Sequence, residues 1–571
     1  MSNKEIANLL NEMADLMEIL GIEWKPQAYR KAARVIEADP EPVEFLFKEK
    51  GEKALLELEG VGKGIAHKIG QFLSKGKVDE YEDLKHRIPR GLVELLNVPG
   101  LGPKKAARLY HELKITSLAQ LEQAARSGKI RKLPGFKEKS EEDILMGLEL
   151  IKKGTERKLL GIILPHARAL EETISKMDGV VAVVIAGSLR RRRETVKDID
   201  LLVFTKKEQE VAKALEGLEA LDTIERQGTS LVSGRLKIGL NVDMRILPPH
   251  LMGSGMVHFT GSKAHGIALR NRAIKMGMKF SEYGLMKGKK IVASQKEEEV
   301  YRALQLEYIP PEMRENEGEI DMAAQGKLPT LIGYGDLKGD LHTHTNWSDG
   351  VHSTEQMVQR AIAIGHEYYA ITDHSYSDTV ANGLDEKRLK HHIKEIHALQ
   401  TKYPQIHLLT GSEVHIDNAG KLDYSQKMLK ELDIVIASVH SSFKMDPKQM
   451  TKRLMNALTN EYVTFIAHPT GRLINQRNPY SFDLDRVLEA AKENGKAMEI
   501  NSFPSRLDFD YTHIRECVKR GVKLVINSDA HSVLHLDNLE YGIAQARRGW
   551  AEKKDVLNAL TCKKFEKAIG R

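Results

Sequence analysis

The sequence predicts a multidomain α/β protein with a helical amino-terminal region, a mixed α/β layer and a carboxy-terminal parallel barrel. Three observations carry this expectation. Residues up to about 150 show short amphipathic helical patterns broken by Gly/Pro turns, with little β-branched alternation. From Leu159 to Pro249, helical patterns alternate with the apolar runs Val180–Ala186, Ile199–Phe204 and Ile238–Leu247, which suits a mixed sheet. After Lys338, the strand-like runs Ala370–His374, Leu408–Glu413, Ile434–His440, Thr464–His468, Ala497–Asn501 and Lys523–His531 alternate with helices. Repeated βα units of this kind favour a barrel.

Composition bounds the function. A chain of 571 residues, 41% hydrophobic and 29% charged, can bury three or four cores and is neither disordered nor fibrous. Its longest apolar run, Val180–Ala186, is far too short to span a bilayer, and Met1–Leu10 lacks a basic-then-apolar leader pattern. A cytoplasmic, nucleoid-associated protein is expected. Cys517 and Cys562 fit neither a CxxC knuckle nor a disulfide framework. The net charge is +7, but between Leu231 and Lys290 eleven Lys/Arg face only Asp243 and Glu282. That stretch suits a polyanion, although neighbouring acids in the fold could balance it equally well. Fifteen of the 22 histidines fall within residues 341–571, more than such a length needs unless some bind metal.

In the helical region one pattern recurs, as Leu58-Glu-Gly-Val-Gly-Lys-Gly-Ile-Ala-His-Lys-Ile69, as Val98-Pro-Gly-Leu-Gly-Pro-Lys-Lys-Ala-Ala-Arg-Leu109, and more weakly as Leu133-Pro-Gly-Phe-Lys-Glu-Lys-Ser140. Glycines Gly60, Gly62, Gly100 and Gly102 let backbone approach a phosphate, and the N–H groups opening the next helix can bind it. A single copy would be an ordinary helix connection. Repetition, with Lys63, Lys68, Lys104, Lys105 and Arg108 nearby, points to DNA backbone binding without sequence readout. The copies resemble helix-hairpin-helix motifs.

In the α/β layer, Gly187-Ser188-Leu-Arg-Arg191 precedes Asp198-Ile-Asp200, and Asp243 lies on another strand. Residues two apart on a strand share a face, so Asp198 and Asp200 can hold cations together, and a third carboxylate completes a two-ion site. Two such ions suit in-line phosphoryl displacement. A lone Asp-x-Asp would be a strand end; the Gly-Ser turn and neighbouring arginines suggest a triphosphate.

The third constellation is Asp340-Leu-His342-Thr-His344, which puts both imidazoles on one strand face, with Asp349 just beyond. His374, Glu413, His440, His468, Asp529 and His531 sit where later strands should end. Nine imidazole and carboxylate groups are too many for one ion and suit zinc, manganese or iron.

Gly-Ser, Asp-x-Asp, the third Asp, His258-Phe259-Thr260-Gly261-Ser262 and Tyr308-Ile-Pro-Pro-Glu312 together resemble the family X DNA polymerases of the DNA polymerase beta type, over about the first 315 residues. The resemblance implies a nucleotidyltransferase-type palm with Asp198, Asp200 and Asp243 as ligands for Mg2+ or Mn2+. It implies that Asp243 assists deprotonation of the primer 3′-hydroxyl, that Ser188, Arg191, Gly261 and Ser262 meet the nucleotide beside Gly187, and that Arg270 of a thumb meets the template strand. His258 stands where that family usually has Tyr, and Gly266 replaces an Asn that contacts the base. Ala28-Tyr29-Arg30-Lys31-Ala32-Ala33 and the first hairpin resemble the family's lyase domain, with Lys68 on its Schiff-base lysine; a lysine there equally suits phosphate binding. The nine-residue array resembles the PHP domain and implies a distorted (β/α)7 barrel holding up to three Zn2+, Mn2+ or Fe2+ ions and hydrolysing phosphoesters. The domain order resembles the bacterial and archaeal family X polymerases that end in a PHP domain. It implies a gap-filling repair polymerase acting on gapped or primed DNA with deoxynucleoside triphosphates, a 3′-5′ exonuclease and an abasic-site endonuclease in one monomeric chain. One alternative is a phosphoesterase whose polymerase half only binds DNA; another, against which the fused hairpins argue, is a small-molecule phosphatase of the histidinol-phosphate type. The expected divisions are 1–88, lyase-like with a hairpin; 89–155, fingers-like with a hairpin; 156–250, palm; 251–315, thumb; 316–337, linker; and 338–571, PHP.

Overall fold

The computed structural model describes residues 3–148, other than 40, 59, 97, 99, 100, 138 and 146, and residues 157–570. Gly100 therefore lies outside the described residues. The helices from Asn3–Ile19 to Leu118–Arg126 close on one core in which Ile6, Leu10, Met13, Ile36, Ile69 and Leu109 are fully buried. Each hairpin helix buries one stripe, as Lys63–Lys75 does with Ile65, Ala66 and Ile69. Gly62 and Gly102 are the extended residues that open Lys63–Lys75 and Pro103–Leu113.

The α/β layer is a five-stranded sheet in the order Val180–Ile185, Asp198–Thr205, Asn241–Leu247, Leu231–Leu236, Leu221–Arg226. Only the pairing of Asp198–Thr205 with Asn241–Leu247 is parallel within it. The run expected from Ile238 becomes a strand only at Asn241, because Gly239 (φ 79°) turns the chain there. Leu221–Arg226 carries no alternation because it is almost wholly exposed.

Helices Met252–Thr260, Lys263–Lys275 and Glu297–Ala303 and a three-stranded antiparallel sheet over 279–293 follow. Buried ion pairs fasten this lobe to the sheet: Glu297 takes both arms of Arg190 at 2.9 and 2.6 Å and Arg314 Nη1 at 2.8 Å. The connecting segment 316–337 is itself folded. Glu319, fully buried, meets His265 Nδ1 at 2.6 Å, and Ile332 enters the barrel's core.

Seven parallel strands then run in sequence order: Gly339–Asp340, Tyr368–Ile371, His407–His415, Ile434–Ser438, Phe465–Ile466, Ala497–Asn501 and Leu524–Asn527. A parallel bridge between Thr343 and Ala530 closes the ring. Tyr368, Ala370, Ile434, Ile436 and Phe465 share one core, while their neighbours Val435, Ala437 and Ile466 share another, so the strands are apolar on both faces as a helix-wrapped parallel barrel requires. The sheet and the barrel pack directly on each other. Arg168 grips Glu540 at 2.9 and 2.7 Å, Arg472 reaches Glu194 at 2.7 Å, and Tyr541 enters the sheet's core. No helix among the described residues is long and apolar enough to cross a membrane.

Candidate functional site

In the sheet, the parallel register sets Asp200 opposite Asp243 and Asp198 opposite Asn241, which brings the three carboxylates to one end. Burial pushes Asp200 up to about 7, with Asp198 and Asp243 adding repulsion and Arg245 and Arg191 opposing it. A site that crowds acids this closely is built for positive charge, and the oxygen-only donor set suits a hard divalent cation. Gly187 (φ 57°) presses against Asp200 so closely that a Cβ there would stand 1.9 Å from Oδ2. The Gly-Ser turn thus walls the carboxylate in place.

A cleft of about 560 Å³ opens beside them, lined by Ser188, Arg191, His258, Gly261, Ser262 and Arg270 together with Asp198 and Asp200. Arg191 is fixed from behind, donating Nε to Glu315 at 3.2 Å and Nη1 to the Thr260 carbonyl. Ser262 caps the helix Lys263–Lys275 by accepting from His265 N at 3.2 Å, and Arg270 projects from that helix. His258 stands 3.7 Å from Glu282; burial holds it below its ordinary value, against the pull of Glu282. At Gly266 a Cβ would meet nothing within 4 Å.

The barrel gathers all nine expected residues at the carboxyl ends of its strands. Ligand atoms of His344, Asp349, His374 and His531 lie within 4.8 Å of one another, as do those of His342, His344 and Asp529, and those of His374, Glu413 and His440. His344 and His374 each belong to two groups. His468 joins through Glu413, Nε2 to Oε1 at 2.8 Å. The Glu413 and Asp529 carboxyls fall well below the usual range despite burial, because imidazoles surround them. His374 and His531 rise to about 9 although burial opposes it, Glu413 acting on the first and Asp349 on the second; burial drops His344 and His468 to about 4. His342 Nε2, His344 Nδ1 and His468 Nδ1 are buried with no hydrogen-bond partner in the protein. Buried orphans of this kind, mixed with carboxylates, are a donor set that suits divalent metal ions.

One local expectation is corrected. His342 and His344 do not share a strand face, since the strand ends at Asp340. The Asp340 carboxylate accepts from His342 N at 3.3 Å and from Ser528, and His344 N bonds Ala530 O at 2.8 Å, so the segment leaves the ladder to close the barrel. The rings still converge, 5.1 Å apart.

Sequence reasoning missed Glu499. Fully buried, it accepts from His342 Nδ1 at 2.7 Å and from His468 N at 2.7 Å, fixing two cluster imidazoles as a carboxylate behind a metal ligand does. A charged residue inside the otherwise buried strand Ala497–Asn501 was its signal. Asp378, 3.3 Å from His440 Nδ1, and Asn501, 3.0 Å from Asp529, were missed as well.

In the helical region Gly62 and Gly102 face open space, with nothing within 4 Å of a Cβ on either; at Gly60 (φ 78°) a Cβ would meet Lys31 at 3.2 Å. Lys104 lies in the first turn of Pro103–Leu113 and is exposed. Lys68 is paired with Glu80 at 2.7 Å and donates to Gly64 O at 3.2 Å. Burial works against its charge, but the Glu80 and Tyr29 contacts outweigh burial and raise its pKa. The ammonium form is favoured, not the neutral amine that an imine requires.

A carboxylate-ended mixed sheet with a basic cleft, joined to a parallel barrel holding a His/Asp/Glu cluster, defines an enzyme with two separate phosphoester centres. Residues 1–78 match the helix-hairpin-helix domain, 92–149 the SAM-like helix-hairpin-helix tandem, 255–315 the DNA polymerase beta thumb and 340–503 the PHP domain. Over 576 aligned residues, all of both chains, the protein is 40% identical to the DNA polymerase/3′-5′ exonuclease PolX of Bacillus subtilis. The chain belongs to the family X DNA polymerases that carry a PHP domain. Over 203 residues the chain is also 36% identical to a "Probable phosphatase" of Acetivibrio thermocellus, covering 34% of this chain and 78% of that one. It is 32% identical over 230 residues to another from a Thermoanaerobacter species, covering 38% and 89%.

Proposed function

We propose that this chain is a DNA-directed DNA polymerase that fills short gaps during repair, with a metal-dependent 3′-5′ exonuclease in its barrel. The observation that carries the reading is the pairing of two clusters in one chain: Asp198, Asp200 and Asp243 at one end of the sheet behind Gly187, and nine convergent imidazole and carboxylate groups in the barrel.

In the palm, Asp198, Asp200 and Asp243 would hold Mg2+ or Mn2+; in the barrel, the nine residues would hold up to three Zn2+, Mn2+ or Fe2+ ions. When bound, such ions supply Lewis-acid activation of an attacking oxygen and neutralise charge on the leaving oxygen. The protein supplies the rest. Arg191, anchored by Glu315, presents a fixed guanidinium to the triphosphate, and Ser188, Gly261 and Ser262 border the same wall of the cleft. Asp243, beside Asp200, is positioned to accept the proton of the primer 3′-hydroxyl. Arg270 lies where a template strand would pass. The glycine hairpins at Gly60, Gly62 and Gly102, with Lys104, hold the duplex by its phosphates. Lys68 joins them as a phosphate contact, since Glu80 keeps it charged. In the barrel, Glu499 and Asn501 hold His342, His468 and Asp529 in place, so the water-activating cluster is rigid before substrate arrives.

The test uses one end-labelled gapped duplex with magnesium or manganese. Extension to the gap length is expected when all four nucleotides are present, and stepwise loss of 3′ nucleotides when they are absent. A chain that binds the duplex but never extends it would overturn the polymerase reading.

A further inference from the structure

The helix Lys25–Ala38 is more than three hundred residues away in sequence from the barrel's ligands, yet it lies across the mouth of that cluster. Two small cavities flank Asp349. One, of about 290 Å³, is bounded by Arg34 and Glu37 of the helix, by Leu473 and Phe503, and by the ligands Asp529 and His531. The other, of about 250 Å³, is bounded by Lys31 and Arg34 of the helix and by Asn346, Ser348 and Asn382. Arg34 borders both. Just past the helix, Asp39 is close enough to act electrostatically on His352 of the barrel, so the contact extends beyond one side chain.

We propose that Arg34 is a substrate-binding residue of the exonuclease, reaching from the amino-terminal helix over the barrel centre to grip the phosphates of the 3′-terminal strand. The proposal rests on the exonuclease reading above. Each cavity has the size of a single nucleotide, and the helix Lys25–Ala38 bounds both. The cavity with Leu473 and Phe503 has apolar walls; Phe503, held edge-on to His535 with ring centres 5.1 Å apart, offers a face for the terminal base. The cavity with Asn346, Ser348 and Asn382 mixes these polar groups with Val35, Val351 and Val380, and its amides suit the sugar and phosphate of the preceding nucleotide. Arg34, exposed and common to both, stands over the phosphates that join them, where a planar guanidinium can bind two oxygens at once. Arg506, the other guanidinium of the first cavity, is committed to Asp529 at 3.3 Å. In the reaction, water oxygen bonds to phosphorus, the bond to the 3′-oxygen of the preceding nucleotide breaks, that oxygen takes up a proton, and a 5′-mononucleotide leaves.

Arg34→Ala should raise KM for DNA 3′ ends about tenfold while kcat stays within about twofold, because the lost contact lies on the strand and not on the cluster. Arg34→Lys should recover part of the loss. Hydrolysis of bis(p-nitrophenyl) phosphate, which needs only the cluster, should be unchanged. An Arg34→Ala chain with unaltered KM for DNA ends would overturn the proposal, as would equal loss on DNA and on the small diester. If the parent chain hydrolyses the small diester yet releases no nucleotide from any 3′ end, the exonuclease reading itself fails, and the proposal with it.

Discussion

Gly187→Ala should separate the two centres without touching a ligand. A Cβ at this position would stand 1.9 Å from Asp200 Oδ2, and ordinary contact begins at 3.4 Å, so the carboxylate must retreat by about 1.5 Å. It cannot retreat freely, since Asp200 is held by the strand that pairs with Asn241–Leu247. A displacement beyond an ångström at a reacting centre costs about 100-fold in rate. The φ of 57° adds strain for alanine of about 1 kcal/mol, too little to unfold a domain. Single-nucleotide gap filling should therefore fall by about 100-fold or more, with thermal unfolding little changed. Removal of 3′ nucleotides from the same labelled primer should stay within about twofold of the parent, because no barrel ligand contacts the Gly187 turn. Gly335→Ala, where a Cβ meets nothing within 4 Å, serves as the control. Gap filling at the parental rate by a folded Gly187→Ala chain would refute the claim that this turn positions Asp200.

Two further outcomes follow from other parts of the structure. Affinity for gapped duplex should fall steeply with salt and vary little with sequence, and Gly62→Val or Gly102→Val should weaken it without loss of fold, since only an incoming phosphate occupies that open space; fluorescence anisotropy across a salt series checks both. Glu499→Gln should weaken metal retention in the barrel by about 10- to 100-fold, read by metal analysis after dialysis, and slow 3′ degradation while extension persists.

How far the sequence disclosed this arrangement depended on the range of the signal. Ligands written as local motifs, such as His342-Thr-His344 or Asp198-Ile-Asp200, were legible because residue type and spacing alone mark them. Glu499 was not, because in Ala497–Asn501 it reads as one polar residue in a core strand, and its purpose appears only when His342, 157 positions away, turns its Nδ1 toward it. The facing of Asp200 and Asp243 is a parallel register set by the whole sheet. Gly187 was singled out as part of a phosphate turn, yet its closeness to Asp200 is a tertiary fact. The salt link of Arg472 to Glu194 and the reach of Arg34 over the barrel depend on how separate units pack, which no periodicity records. The exposed strand Leu221–Arg226 escaped for the opposite reason: without a buried face it has no alternation to read.

The central claim is that synthesis and degradation use separate centres. Asp200→Ala and His344→Ala should be run on one labelled gapped duplex, with and without nucleotides. Asp200→Ala should lose extension by at least about 100-fold while 3′ degradation continues, since the lost carboxylate serves only the palm. His344→Ala should do the reverse, because that imidazole bridges two ligand groups of the barrel and reaches nothing in the palm. Loss of both activities in either folded, DNA-binding variant would contradict the two-centre claim and require a single shared site.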